Sequence, residues 1–487
     1  MSILMLHQMI KKTENTFLIV DLDGTLVKTD LLVEMFLLAL GNNFFSGIFS
    51  LFTLRKGRAA FKRKLVNETT LDITALPYNQ NVIDYIEERR SRGYKTMLVT
   101  ASDQLIADKI GQHVQLFDEI HGSNGQVNLK GEKKAQFLIE KIGKQNFAYI
   151  GDSAADFAVW EHSNKIITVN VSSKIKRKAD NKFKKVEHLD SSQSKLKNLV
   201  KLIRPHQWVK NLLVFIPLLA GHQFTENAIF KSFLAFIAFS MIASGIYIFN
   251  DLFDIQNDRQ NPEKRKRSIA SGNVLVTRAV VICSFLLIGG LTLAGRINTN
   301  LLLISILYVT TTIVYSIYLK RLIIIDICFL SIFYTLRLLA GSEASEVPLS
   351  FWLAAFSTFF FFSLASIKRL NELVESTSRG TLKIKGRGYH SEDLPIISQI
   401  ATASGLTAVL IMALYLNSDE VIALYKFPQA LWGICLVLLF WVNRFIVLAN
   451  RGKIYGDPIV FSIKDRTSYY SGFLILLLII IANIYYG

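Results

Sequence analysis

Two short acidic patterns in this chain have the residue types and spacing for chemistry on phosphorus. In Phe17-Leu-Ile-Val-Asp21-Leu-Asp23-Gly24-Thr25, an apolar strand pattern runs into a loop with two carboxylates two residues apart. That spacing lets Asp21 point into a site as a nucleophile while Asp23 stands beside it as acid and base. An aspartyl-phosphate formed this way splits one difficult hydrolysis into two easier steps. In Asn250-Asp251-Leu-Phe-Asp254-Ile-Gln-Asn-Asp258, a continuing helix places Asp251, Asp254 and Asp258 at i, i+3 and i+7, on one face. Three carboxylates so arranged repel unless a cation lies among them, and Mg²⁺ bridging to a diphosphate meets that need. A cationic stretch, Lys264-Arg265-Lys266-Arg267, follows directly and suits phosphate oxygens. The bland alternatives are an acidic turn after a core strand and a solvated helix end. Aspartate at membrane depth is costly and commonly functional, which favours the chemical reading of the second pattern.

The first pattern has companions. Thr96-Met-Leu-Val-Thr100-Ala-Ser102 is a strand ending in hydroxyls suited to a phosphate oxygen, with Thr100 preferred and Ser102 left open. Lys134, or Lys133 beside it, offers a charge to neutralise phosphate. Phe147-Ala-Tyr-Ile-Gly151-Asp152-Ser-Ala-Ala-Asp156 ends a strand with two acids able to hold Mg²⁺. This set, in this order, resembles the haloacid dehalogenase-like phosphatase superfamily over roughly 15–175. The resemblance implies an N-terminal α/β domain, a Rossmann-like parallel sheet with the site at its strand ends. It makes Asp21 the nucleophile, Asp23 the acid/base, Asp21 with Asp152 the Mg²⁺ ligands, and Asp156 a supporting acid. The helical insert at about 30–85 corresponds to a cap. Its Phe-rich part packs on other cap helices or, on a sharper reading, leans on the membrane to receive a lipid-linked phosphate; Glu34 and the Gly41-Asn-Asn break argue against a span there.

Positioning the second pattern falls to a different kind of chain. Of 487 residues, 51% are hydrophobic, 34 of them Phe, and the apolar ones crowd after Arg204. Successive apolar runs at 207–222, 230–250, 276–294, 299–318, 321–341, 350–368, 396–416, 428–449 and 467–486 each approach bilayer length, giving an all-α polytopic half of about nine spans. The net charge of +17 falls between these runs and in 176–203, a polybasic juxtamembrane linker. That distribution points to anionic lipid headgroups and excludes nucleic acid as the partner. Basic loops near 251–275 and 369–395 put the head in the cytoplasm of a multi-pass cell-membrane protein, with the C-terminus opposite. The first sixteen residues lack a signal-peptide pattern. Cys283, Cys328 and Cys435 lie in apolar runs and read as small buried hydrophobes.

The pattern Asn250-Asp251-x-x-Asp254-x-x-x-Asp258 after the second run resembles the UbiA prenyltransferase superfamily over 204–487. Arg204-Pro205-His-Gln-Trp208-Val-Lys210-Asn211, and Tyr315-Ser316-x-x-Leu319-Lys320 with Asp326, extend the likeness. Most members using prenyl diphosphates carry a second Asp-rich cluster after the sixth span. Here that place reads Lys368-Arg369-Leu-Asn371-Glu372, then Arg387-Gly-Tyr389. With Asp457-Pro458 and Lys464-Asp465-Arg466, this resembles the decaprenyl-phosphate phosphoribosyltransferase branch. The resemblance implies transfer of phosphoribose from 5-phosphoribosyl diphosphate to a polyprenyl phosphate. Asp251, Asp254 and Asp258 would hold Mg²⁺; Asn250, Lys210, Lys264, Tyr315, Lys320, Lys368 and Arg369 would bind substrate, and Glu372 ribose or metal. The phosphatase head, fused to it, would remove the 5-phosphate. The alternatives are a prenyltransferase joining a prenyl diphosphate to a small acceptor, and a lipid-phosphate scaffold tethering a phosphatase.

Overall fold

The computed structural model describes residues 17–484, apart from 191–193, 223, 379, 381–383 and 385–386; the stretch read for a signal peptide lies outside them. The chain divides into two compact units. One comprises the residues up to Ile203 with Ile248–Ile282, the other Arg204–Tyr247 with Cys283–Gly487.

The first unit is built on six parallel strands in the order β3-β2-β1-β4-β5-β6: β1 Phe17–Val20, β2 Lys95–Asp103, β3 Glu119–Ser123, β4 Phe147–Gly151, β5 Lys165–Val169 and β6 Val186–Leu189. The central strands are apolar runs because helices cover both faces of a parallel sheet. Alternation sends Leu18, Val20, Leu98 and Ile150 to one core and Ile19, Met97, Val99 and Tyr149 to the other. Chain order reverses at β1, which pairs with β2 on one side and β4 on the other, and such switch points open a crevice at the strand ends. The sixth strand lies past residue 175, so the stretch read as a linker contains a helix, Ser173–Lys182, and a sheet strand.

The insert after β1 forms three helices: α1 (Leu31–Asn42), α2 (Phe44–Ser50) and α3 (Arg58–Glu68), with a 3₁₀ turn at Leu51–Lys56 before the last. Asp30 caps α1 by accepting from the Val33 amide at 3.1 Å. Asn43 ends α1 and starts α2, its side chain accepting from Ser46 N at 3.1 Å. The Gly-Asn-Asn break therefore separates two helices.

Among the described residues, eight helices are long and apolar enough to cross a membrane: Glu226–Phe253, Val276–Ile297, Thr299–Ile317, Ile325–Ser345, Phe351–Ser378, Ser391–Leu416, Pro428–Asn450 and Arg466–Ile484. These match eight of the nine expected spans, and the chain is a multi-pass membrane protein. The remaining run differs. Pro205 and Pro217 bracket a 3₁₀ stretch, Pro205–Phe215, followed by a five-residue α-helix, Ile216–Ala220. At about 2.0 Å rise per 3₁₀ residue and about 1.5 Å per α residue, this segment is roughly 30 Å long, close to a bilayer core, in another conformation. The helix of the sixth expected span, 350–368, continues to Ser378. Arg369 and Glu372, expected in the loop 369–395, thus project from the same helix as Lys368. Within the second unit, buried side chains form one core around Ile367, Leu370 and Phe445 and another around Phe239, Ile242 and Leu336.

Candidate active sites

In the first unit the polar groups gather where β1, β2 and β4 end. Asp21 follows β1, and its amide donates to Ile150 O at 3.0 Å. Lys134 is buried and donates to Asp21 Oδ1 at 2.8 Å and to the Tyr149 hydroxyl at 2.9 Å. That hydroxyl donates to Asp156 Oδ1 at 2.9 Å, and Ser153 donates its amide and hydroxyl to Asp156 Oδ2. Burial works against the charge on Lys134, but Asp21 and Asp156 outweigh it and hold the ammonium above its usual pKa. Between the two candidate lysines, Lys134 is therefore the one aimed at Asp21.

Asp23 accepts from the Leu31 amide at 2.9 Å and from the Ser102 hydroxyl at 2.6 Å. Thr100 is fully buried and accepts from the Ser102 amide at 2.9 Å. The two hydroxyls left open by the sequence thus sit differently: Ser102 touches the acid/base candidate, and Thr100 braces the loop beneath. Burial and the neighbouring Asp30 push the Asp23 carboxyl up to about 6, within reach of proton transfer near neutral pH.

The residues present fit a divalent cation. Ligand oxygens of Asp21, Asp152 and Asp156 lie within 4.8 Å of one another, a hard-oxygen set of the kind Mg²⁺ takes. Burial and the charges of Asp156, Asp21 and Asp23 drive Asp152 up to about 8, which a cation would reverse. Both Asp156 oxygens are held by Tyr149 and Ser153, so Asp21 and Asp152 are the acids placed to meet an ion. Gly24 makes their approach possible: its φ is +75°, and a Cβ there would lie 2.2 Å from Asp152 Oδ2.

The second acidic pattern also lies in this unit, with one departure from expectation. The helix carrying Asn250 and Asp251 ends at Phe253, and a short helix, Ile255–Gln260, starts after Asp254. Hydrogen bonds from Asp254 N to Asn250 O and from Asp258 N to Asp254 O carry the chain across the break. Asp251 and Asp258 are both buried and converge on one cation, Arg267 Nη1, at 3.0 and 2.8 Å. Two of the three carboxylates thus fit a positive charge held between them. Lys264 stands in an exposed 3₁₀ turn, Lys264–Lys266. Arg259, next to Asp258, forms a buried two-pronged ion pair with Glu34 of α1, to which Thr29 also donates.

Among the described residues, the second unit holds two ionic clusters centred on buried carboxylates, Asp457 and Asp326. Asp457 caps a short helix, Pro458–Ser462, and meets Lys210 at 2.7 Å, Lys368 at 3.3 Å and the Tyr334 hydroxyl at 3.3 Å. Burial raises its pKa, yet the two lysines outweigh this and hold the carboxyl well below its usual range. Asp326 meets the fully buried Arg369 at 2.8 Å and Arg387 at 3.2 Å, and accepts from Tyr389. Glu372 binds Arg369 and, at 3.3 Å, Arg387, which also donates to Tyr315 at 3.2 Å. Lys320 lies in the 3₁₀ turn Leu319–Arg321. Sequence reading passed over Arg337, buried on the helix Ile325–Ser345 and donating to Asn211 at 2.8 Å and Tyr308 at 2.7 Å. An arginine inside an apolar span was the signal that could have found it.

An uncharacterized protein of Sinorhizobium fredii, y4nM, is 36% identical over 94% of this chain and 89% of its own length. The nodulation protein NoeC of Azorhizobium caulinodans is 34% identical over 54% of this chain and 86% of its own. A decaprenyl-phosphate phosphoribosyltransferase of Mycolicibacterium smegmatis is 29% identical over 55% of this chain and 86% of its own. Residues 214–455 match the UbiA prenyltransferase family, and with relatives matched over most of their length, this chain is a membrane enzyme belonging to that family.

Proposed function

We propose that the chain is a two-site enzyme: a transferase at 204–487 that moves phosphoribose from 5-phosphoribosyl diphosphate to a polyprenyl phosphate, and a hydrolase at 1–175 that removes the 5-phosphate. The observation that carries the transferase reading is the Lys210–Asp457–Lys368 cluster. A buried lysine, Lys210, and a half-buried one, Lys368, share one buried carboxylate, so the cluster keeps a surplus positive charge where an anion offsets the cost of burial. The donor brings phosphate groups at both ends of the ribose, and so needs cations in more than one place. The basic Lys368-Arg369 pair, where a prenyl-diphosphate enzyme would carry acids, supports the same donor, as does similarity to the mycobacterial phosphoribosyltransferase.

In the transfer, an oxygen of the lipid phosphate bonds to ribose C1 as the C1–O bond to diphosphate breaks. Mg²⁺, when bound, supplies charge neutralisation for the departing diphosphate. Asp251, Asp254 and Asp258 would hold it, while Asn250, Lys210, Lys264, Tyr315, Lys320, Lys368 and Arg369 orient phosphate and ribose oxygens. Glu372 keeps Arg369 and Arg387 in place toward the ribose. In the hydrolysis, Asp21 attacks the 5-phosphate and the bond to the ribose oxygen breaks. Asp23 gives that oxygen a proton and then takes one from the water that cleaves the aspartyl-phosphate. Asp21 and Asp152 would hold Mg²⁺, Thr100 and Lys134 would bind the phosphate oxygens, and Asp156 keeps Tyr149 and Lys134 in line. The head lies on the cytoplasmic side of the cell membrane, as its basic loops favour.

The test is a mass-spectrometric product assay with the full-length protein, Mg²⁺, 5-phosphoribosyl diphosphate and a polyprenyl phosphate. The expected product is polyprenyl-phosphoryl-ribose, with its 5-phosphorylated precursor accumulating in Asp21→Asn. A protein that transfers only a prenyl group, or an Asp21→Asn variant with unchanged products, overturns the reading.

A further inference from the structure

The head carries an apolar patch that its own fold does not cover. Phe44, Phe45, Phe49 and Phe52 are 55–72% exposed, and Ile48 and Leu54 lie beside them. At roughly 200 Å² per aromatic side chain, the four rings alone present on the order of 450 Å², the size of the largest apolar patch on an ordinary soluble protein, which is commonly a functional surface. Among the described residues up to 190, the exposed large apolar residues outside 44–54 are Leu105 and Val127, which lie apart in the sequence. Basic residues border the patch: Arg55 lies 5.4 Å over the Phe52 ring, and Lys56 and Arg58 follow. Aromatic rings flanked by cations are the composition of a segment that lies in the headgroup region of an anionic bilayer.

The helix leading into the patch lies near the end of a helix long enough to cross a membrane: a Cβ built on Gly41, at the end of α1, would lie 3.8 Å from the ring of Phe253, the last residue of Glu226–Phe253. The buried Glu34–Arg259 pair ties the same helix to the segment that follows. Both ends of the patch reach the phosphatase residues as well. The first amide of α1 donates to Asp23. From α3, Lys62 donates to Ala101 O beside Ser102 and to Asn128, and Arg63 pairs with Asp103 at 2.8 Å.

We infer that the Phe44–Leu54 segment is an interfacial anchor that rests in an anionic bilayer and presents the Asp21 site to phosphomonoesters carried on lipid, in preference to soluble ones. The substrate class rests on the hydrolase reading above; the anchoring does not. Two measurements separate them. In the first, full-length protein carrying Phe49→Cys, in a background with the three native cysteines replaced, is labelled with an environment-sensitive fluorophore in liposomes containing phosphatidylglycerol. Quenching by lipids brominated near the headgroup, at least twice that of a label at Lys133→Cys, is expected. An unquenched label overturns the anchor, as does one shielded by crosslinkable contact with a second copy. In the second, Phe45→Glu/Phe49→Glu/Phe52→Glu is assayed on p-nitrophenyl phosphate and on a polyprenyl-linked phosphomonoester. The soluble substrate should be cleaved within twofold of the parent and the lipid substrate at least tenfold more slowly. Equal rates on both overturn the substrate preference. A parent that cleaves neither overturns the hydrolase reading and leaves the quenching result to decide the anchor.

Discussion

The two units solve the problem of buried charge in opposite ways. At the strand ends of the head, Asp21, Asp23, Asp152 and Asp156 crowd against one ammonium, Lys134, and the imbalance is acidic. In the second unit, Arg369 and Arg387 balance Asp326 and Glu372, while Lys210 and Lys368 outnumber Asp457. An acid surplus asks for a metal ion, and a base surplus asks for an anion. The difference also reflects geometry. A parallel sheet brings several loops to one edge, so like charges can be held together by backbone amides. Membrane helices supply no free backbone donors, so their charged side chains must neutralise one another or a ligand.

The largest effect should come from the acid-rich site. Asp21→Asn removes the proposed nucleophile and should cut phosphate release by about a thousandfold, while formation of the phosphorylated lipid product continues at the parental rate. Simultaneous loss of both activities would break the contrast between the sites. Next comes the pair joining α1 to the acidic segment. Removing one partner of a buried ion pair costs about 3–5 kcal/mol, so Arg259→Met should lower thermal stability sharply. Glu34→Met in the same chain should restore much of the loss, because no unpaired charge then remains buried. A double variant as unstable as the single one would show that Arg259 contributes by something other than Glu34.

The head was legible because its chemistry is local. Asp21, Thr100 and Asp152 each follow a short apolar run, so residue type with run position located these candidates at or near a strand end, whereas Lys134 stands in the first turn of a helix. The membrane half was legible in its spans, since length and apolarity suffice, but less so in its pairings. Lys210 and Asp457 lie 247 positions apart, and nothing in local spacing joins them. The kink at Asp254 and the turns of Pro205–Phe215 escaped for a related reason. Hydropathy measures how apolar a segment is, and reports little on its backbone geometry. Glu34 read as an obstacle to a membrane span, and its partner Arg259 explains why a buried acid is tolerated there.

A smaller effect should come from the base-rich cluster. Lys368→Met leaves Asp457 paired with Lys210 and Tyr334, so the fold should hold. It removes the surplus charge, and KM for the proposed ribosyl donor should rise about tenfold, near 1.4 kcal/mol, with kcat changed less. Asp457→Asn should do the reverse, tightening donor binding, because two unopposed lysines attract an anion more strongly.

The smallest effect expected is at the surface. Lys176 and Asp190 lie 2.8 Å apart, as close as many of the buried pairs, with side chains 39% and 41% exposed. Water screens their attraction, and ordering two side chains offsets most of what is left, so Lys176→Ala should cost below about 0.5 kcal/mol. Measured beside Arg259→Met in one thermal-unfolding series, it isolates the variable that matters. Distance is similar in the two pairs and burial differs. If both substitutions cost the same, burial is not what gives the ionic clusters of this protein their weight, and the surplus-charge argument for the Asp457 cluster loses its footing with it.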